Sequence, residues 1–108
     1  MLLVLPSPMF FAERSRLSEL AARYRIPATY EVKEYVDAGG LLSYGPSFPE
    51  MYRRAASFVD RILKGARAGD LPMEQPTRFV LAINQTTAKR LGLTIPPSVL
   101  LRADHLIE

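Results

Sequence analysis

Residues 39–50, Gly39-Gly40-Leu41-Leu42-Ser43-Tyr44-Gly45-Pro46-Ser47-Phe48-Pro49-Glu50, decide the fold. The paired glycines mark a sharp reversal, Leu41 to Tyr44 reads as a short strand, and Gly45-Pro46 closes it. Ser47 and Glu50 then stand in capping-box spacing, and Tyr52, Ala55, Val59, Ile62, Leu63 and Ala66 form one apolar stripe, so a long helix follows at once. Asp60 and Lys64 add an i, i+4 pair on its side. A buried strand feeding directly into an amphipathic helix is the repeating unit of an α/β domain.

The rest of the chain extends this alternation in both directions. Upstream, the apolar run Leu2-Leu3-Val4-Leu5 reads as a buried parallel strand. Ser7-Pro8 suits a helix N-cap and first position, and Leu17, Leu20, Ala21 and Tyr24 keep helical spacing after it. Ala28-Thr29-Tyr30 is a second short strand, and Val32 to Ala38 is one or two helical turns stopped by the glycines. Downstream, Gly65 to Pro76 is a polar loop, and Phe79 to Ile83 is a fourth strand. Thr86 to Leu91 is a short helix ended by Gly92, and Pro96-Pro97 opens a last helix through about Ala103. No internal repeat or low-complexity tract interrupts the pattern.

Composition excludes several classes. With 108 residues, 48% of them hydrophobic and 23% charged, the chain is not disordered. The absence of Cys removes thiol nucleophiles, zinc–thiolate sites and disulfide frameworks. Lys and Arg number 14 against 11 Asp and Glu, a net charge of +3, and no basic run exceeds two residues, so no nucleic-acid partner is expected. No apolar run approaches the roughly 20 residues that cross a bilayer. Met1 to Leu5 lacks the basic start and cleavage pattern of an export signal.

Catalytic patterns are missing from the sequence. His105 is the only histidine and has no second imidazole or thiol with which to share a metal, so it reads as a solvated or packed side chain. Ser43 has Gly45 two residues on, but Leu41 occupies the first glycine position of a nucleophile elbow. Neither Gly39-Gly40 nor Gly65 to Gly69 continues as a phosphate loop, and Glu31, Glu34 and Asp37 read as a solvated acidic face. No enzyme, metal or cofactor is expected. Ligands of an α/β sheet bind at the carboxyl ends of its strands, which points to Ser7-Pro8-Met9-Phe10, Tyr30-Glu31 and Ser43-Tyr44-Gly45. Tyr30 and Tyr44 there either stack on and hydrogen-bond a small polar ligand or serve as ordinary half-buried strand ends.

An ordered series of motifs runs through nearly the whole chain. It comprises Leu2, Val4-Leu5-Pro6, Pro8 and Phe10; Gly39 to Pro46; Tyr52-Arg53-Arg54-Ala55-Ala56; and Val59-Asp60 with Ile62-Leu63-Lys64-Gly65. It continues with Asp70-Leu71-Pro72, Glu74-Gln75-Pro76-Thr77, Ile83-Asn84, Thr87-Ala88-Lys89, Leu91 to Pro96 and Leu101 to Asp104. This series resembles the C-terminal part of the tryptophan/tyrosine-type ABC transporter substrate-binding proteins. Two positions depart from it: Ser7 stands where relatives often carry an acid, and Gln85-Thr86 replaces an apolar–basic pair.

The resemblance implies an α/β three-layer sandwich with a mostly parallel short sheet, a partial type I periplasmic-binding-protein lobe. Residues 1–108 are then the C-terminal portion of a two-lobed receptor, with its hinge near 39–46 and the first portion, export signal included, outside the chain. The implied job is to hold a small solute, an amino acid or an aromatic or organic acid, and to present it to an ABC permease without catalysis. The expected contacts are Ser7, Met9, Phe10, Tyr30, Ser43 and Tyr44. The full-length setting is periplasmic or lipid-anchored. Half a cleft implies weak binding. The apolar faces of residues 49–63 and 79–83 imply a homodimer or higher oligomer, with exchange of the segment after the hinge as one route. The alternative is a stand-alone α/β interaction module with no transport role, and an enzyme comes last.

Overall fold

A computed structural model describes all residues, 1–108. Five strands form one sheet in sequential order: β1 (Leu2–Leu3), β2 (Ala28–Tyr30), β3 (Leu42–Pro46), β4 (Phe79–Asn84) and β5 (His105–Ile107). β1–β2, β2–β3 and β4–β5 pair in parallel, and only β3–β4 is antiparallel, so the sheet is mostly parallel as expected. The helices are α1 (Pro8–Ala12), α2 (Arg14–Arg23), α3 (Lys33–Asp37), α4 (Phe48–Leu63), α5 (Gln85–Arg90) and α6 (Pro97–Leu100), with a 3-10 turn at Ala68–Asp70.

The core forms where α3 lies across the sheet. Register aligns Tyr30, Ser43, Ala82 and His105 in one row across β2 to β5. α3 covers this row: Tyr35 stacks on Tyr30 with centroids 4.6 Å apart, and Asn84 Nδ2 donates to the Val36 carbonyl at 3.4 Å. Tyr35 and Val36 are completely buried. The two expected reversal glycines have different causes. Gly39 takes a left-handed φ of 100°, whereas a Cβ on Gly40 would meet the Tyr30 ring at 2.7 Å. Gly45 is the tightest position, since a Cβ there would run into the Glu31 carbonyl across the β2–β3 junction.

Three elements differ from the sequence expectation. The first helix breaks at Glu13 into α1 and α2, and α2 turns Ser18 and Ala21 inward while Leu20 and Tyr24 stay exposed. The reason is space: small side chains let α2 approach α3, where Ser18 Oγ donates to the Tyr35 carbonyl at 3.4 Å. Ser7 holds the N-cap position of α1 with extended backbone, but its side chain makes no capping bond. The last helix ends at Leu100 rather than near Ala103, and β5, absent from the sequence reading, follows. β5 is a three-residue edge strand held by pairing with β4, with too few residues to show a period.

α4 has the cap that the sequence announces, Ser47 Oγ accepting from Glu50 N at 3.5 Å. None of its 16 residues is buried, and it makes no sustained packing with any other element. The molecule is accordingly elongated, 56 × 31 × 19 Å, with a radius of gyration of 17.0 Å. A domain of this length ordinarily has about 13 Å.

Candidate functional site

Because β1, β2 and β3 run parallel, their carboxyl ends open on one edge of the sheet, where the chain turns into α1, α3 and α4. This is the edge at which an α/β sheet presents ligand-binding loops. Ser7 stands there with its hydroxyl uncommitted to capping, beside Met9, 66% exposed, and the exposed Phe10. The next side chain, Phe11, turns inward and meets Tyr35 edge-on at 6.1 Å and Phe48 at 5.7 Å. Arg14 secures this turn, donating from Nη1 to the Phe11 carbonyl at 3.0 Å with its guanidinium 4.7 Å from the Phe11 ring centre.

The six residues singled out from sequence separate into three groups. Ser7, Met9 and Phe10 share the loop after β1. Tyr30 and Ser43 are register neighbours on β2 and β3, but Tyr30 is only 1% exposed and Ser43 is fully buried, so both lie beneath the edge. Tyr44 points to the opposite face of β3, where it is exposed and stacks on Phe79 at 5.6 Å. Burial pushes the Tyr30 hydroxyl up, with a hydrogen bond involving Ser18 opposing it in part. Ser43 Oγ and Tyr35 Oη are buried without hydrogen-bond partners, so Ser43 has no base to activate it.

Sequence reasoning passed over Phe11 and Phe48, and it placed Glu31 in a strand-end loop while reading its carboxylate as part of a solvated acidic face. Glu31 is half-buried at the end of β2, and burial raises its carboxyl above the ordinary range. The Tyr35 hydroxyl is also raised, first by burial and then by the charge of Glu31, while Arg14 opposes the shift. The local signal for Phe11 was its adjacency to Phe10, since consecutive helical residues face different directions and one of the pair had to turn inward. The edge thus offers apolar contact from Met9 and Phe10 and a carboxyl acceptor at Glu31, a set suited to binding.

A concavity of about 880 Å³ lies away from this edge, between α4 and residues 74–78. Glu74 accepts from both Nε and Nη2 of Arg54, and Arg78 meets Glu50 at 2.9 Å, so the groove's charges are matched. The hydrogen bond between Arg54 and Glu74 raises the first and lowers the second. Elsewhere, Asp37 accepts from Lys33 at 2.9 Å and lies 2.8 Å from His105 Nε2. His105, expected as a lone solvated or packed side chain, therefore ties the edge strand to α3.

Comparison with known proteins agrees with this geometry. A conserved domain protein from Vibrio cholerae O1 biovar eltor superposes with a TM-score of 0.90 at 28% identity, over 96% of this chain and 35% of its own. The ABC domain in complex with L-Trp from Streptococcus pneumonia gives 0.87 at 25% identity, over 97% of this chain and 36% of its own. A ligand-free, open substrate-binding protein with adhesive properties from Clostridium difficile gives 0.64 at 18%, over 98% and 35%, which speaks to the fold alone. The chain therefore spans about a third of the length of these structures. No curated protein matches it. The model of the family described as ABC transporter substrate binding protein matches residues 9–107, and the chain belongs to that family.

Proposed function

We propose that the chain is the C-terminal portion of the solute-binding receptor of an ABC importer, and that it contributes one wall of a cleft holding a small solute. The observation that carries this reading is the convergence of three strand-end loops on one edge, with Met9 and Phe10 exposed above Phe11, Tyr35 and Phe48. Ser7, Met9 and Phe10 touch the solute. Tyr30 and Ser43 hold the wall from beneath, and Tyr44 meets ligand or partner from the open sheet face. An aromatic amino acid is the first candidate, supported by the L-Trp in the streptococcal relative. Its amino group would meet Glu31, since Ser7 carries no charge.

In this reading the protein binds and releases without catalysis, works outside the cytoplasm as its family typically does, and hands its solute to a membrane permease. Hinge bending near residues 39–46 is cheapest at the ends of that segment, because β3 is paired on both sides. A second reading, an α/β interaction module without a transport role, is favoured by the unburied apolar face of α4.

Amide chemical-shift mapping of the 108-residue chain with L-Trp, L-Tyr and indole-3-acetate tests the receptor reading. Perturbations confined to residues 7–10, 31–32 and 44–48 at millimolar ligand are expected, since one wall contacts half of the solute. Shifts scattered elsewhere, or none with any of the three, would sink it. Micromolar affinity would show that the single wall suffices.

A further inference from the structure

We propose that Arg14 anchors the carboxylate of the solute, so that the solute is an amino acid or an aromatic or organic acid rather than an amine or a neutral molecule. The inference rests on the receptor reading above and adds to it the group that recognises the acid.

Arg14 is unlike the other cations of the chain. It is half-buried where every other arginine is exposed, and the half-buried Lys33 is already bonded to Asp37. No carboxylate of the chain pairs with Arg14, and its bond from Nη1 to the Phe11 carbonyl, at 3.0 Å, occupies one N–H group. That bond and the Phe11 ring, whose centre is 4.7 Å from the guanidinium, hold the group in place. A half-buried charge without a counter-ion costs free energy, and the remaining N–H groups form the fork that fits a carboxylate.

The second support is independent of Arg14. Tyr35 Oη is buried without a hydrogen-bond partner, on a ring that Phe11 meets edge-on at 6.1 Å. Arg14 and Tyr35 therefore flank the same phenyl ring. Burial raises the Tyr35 hydroxyl and the Arg14 charge opposes the rise, so the field of the guanidinium reaches Oη. A phenylalanine would fill this position without an unpaired polar atom, as Phe11 and Phe48 do in the same cluster. A hydroxyl kept there beside an unpaired cation marks an acceptor that the two share. Arg14 meets the carboxylate first, and a turn of the Phe11 ring uncovers Oη for the second oxygen. Glu31 is left to take an amino group, and Met9 and Phe10 the apolar part.

Titration of the 108-residue chain with L-Trp, indole-3-acetate and tryptamine tests the proposal, with the amides of residues 7–10 reading binding and the Arg14 side-chain Nε–H signal reading contact. L-Trp is expected to bind at least about 10-fold tighter than tryptamine, which lacks only the carboxylate. The Arg14 signal should move with the two acids and stay still with the amine. Arg14→Gln should bring L-Trp down to tryptamine, and Tyr35→Phe should weaken L-Trp about 3-fold without touching tryptamine. If Arg14→Gln loses amide dispersion, the ligand comparison on the wild type and Tyr35→Phe decide. Equal binding of L-Trp and tryptamine at residues 7–10 overturns the anchor and leaves the receptor reading standing. So does an Arg14 signal that L-Trp does not move, which assigns Arg14 to an acidic side chain elsewhere in the receptor. Tyr35→Phe binding like the wild type overturns the shared acceptor. No shift with any of the three removes the receptor reading and the anchor together.

Discussion

α3 and α4 show how little a helix's local signal says about its burial. α3 is five residues long, has no side-chain cap, and packs Tyr35 and Val36 out of contact with water. α4 is 16 residues long, properly capped and strongly amphipathic, and buries none of them. α3 is stopped by Gly39 after five residues, and its stability comes from contacts with Tyr30, Asn84 and His105 rather than from its own turns. α4 is about 24 Å long and is held at its start, where Phe48 meets Phe11 and Glu50 and Arg54 pair with residues 78 and 74, while its cap and its i, i+4 pair support it locally.

The largest effect that would sharpen this contrast lies at Gly45. A Cβ there would run into the Glu31 carbonyl, so Gly45→Ala must push the end of β2 away from β3. A loss of more than about 4 kcal/mol in urea unfolding is expected. A stable Gly45→Ala protein would show that the α3 side of the sheet is not the rigid region.

Next comes a matched pair of truncations. Tyr35→Ala should cost about 3 kcal/mol by cavity formation, whereas Leu63→Ala on α4 should change stability by less than about 0.5 kcal/mol when measured on monomer. Tyr35→Phe should be neutral or slightly stabilising, because the hydroxyl it removes is buried without a partner. Equal losses at Tyr35 and Leu63 would erase the comparison.

The smallest effect concerns the tie between α3 and the edge strand. Burial by itself would raise the Asp37 carboxyl, but hydrogen bonds from Lys33 and His105, with their charges, hold it below the ordinary carboxylate value. A depressed carboxylate contributes stability above its ordinary pKa and loses it as pH falls through the depressed one. Asp37→Asn should therefore cost under about 1 kcal/mol at neutral pH, the pair being exposed, and nothing once the wild-type carboxyl is protonated. Urea midpoints of both proteins at neutral and acid pH measure this difference, and a gap that persists in acid would assign the tie to shape rather than charge.

Much of this fold was legible because its signals are local. The strand at Leu42, the cap at Ser47 and the break at Gly39 depend on residues a few positions apart. β5 was not legible, because its three residues are a strand only through β4. The inward face of α2 was legible in part: Leu17 and Ala21 of the expected stripe face the core, but Ser18 turns inward for closeness to α3, which hydrophobic spacing does not record, while Leu20 and Tyr24 stay exposed. The position of Ser7, Met9 and Phe10 just after the end of β1 was readable from the apolar run and the Ser-Pro helix start. The burial of Tyr30 beneath Gly40 and the turning away of Tyr44 were not, since both follow from which face of the sheet α3 covers.

By itself, then, the sequence determined the alternation of short strands and helices, which follows from spacing along the chain, and its ordered motifs carried the resemblance to the family that the comparison then showed. Only the tertiary structure decided that Tyr30 and Tyr35 make the core, that Asp37 ties His105 to α3, and that α4 projects uncovered. Burial depends on what stands opposite a residue, and that is a property of distant segments brought together rather than of neighbours in the chain.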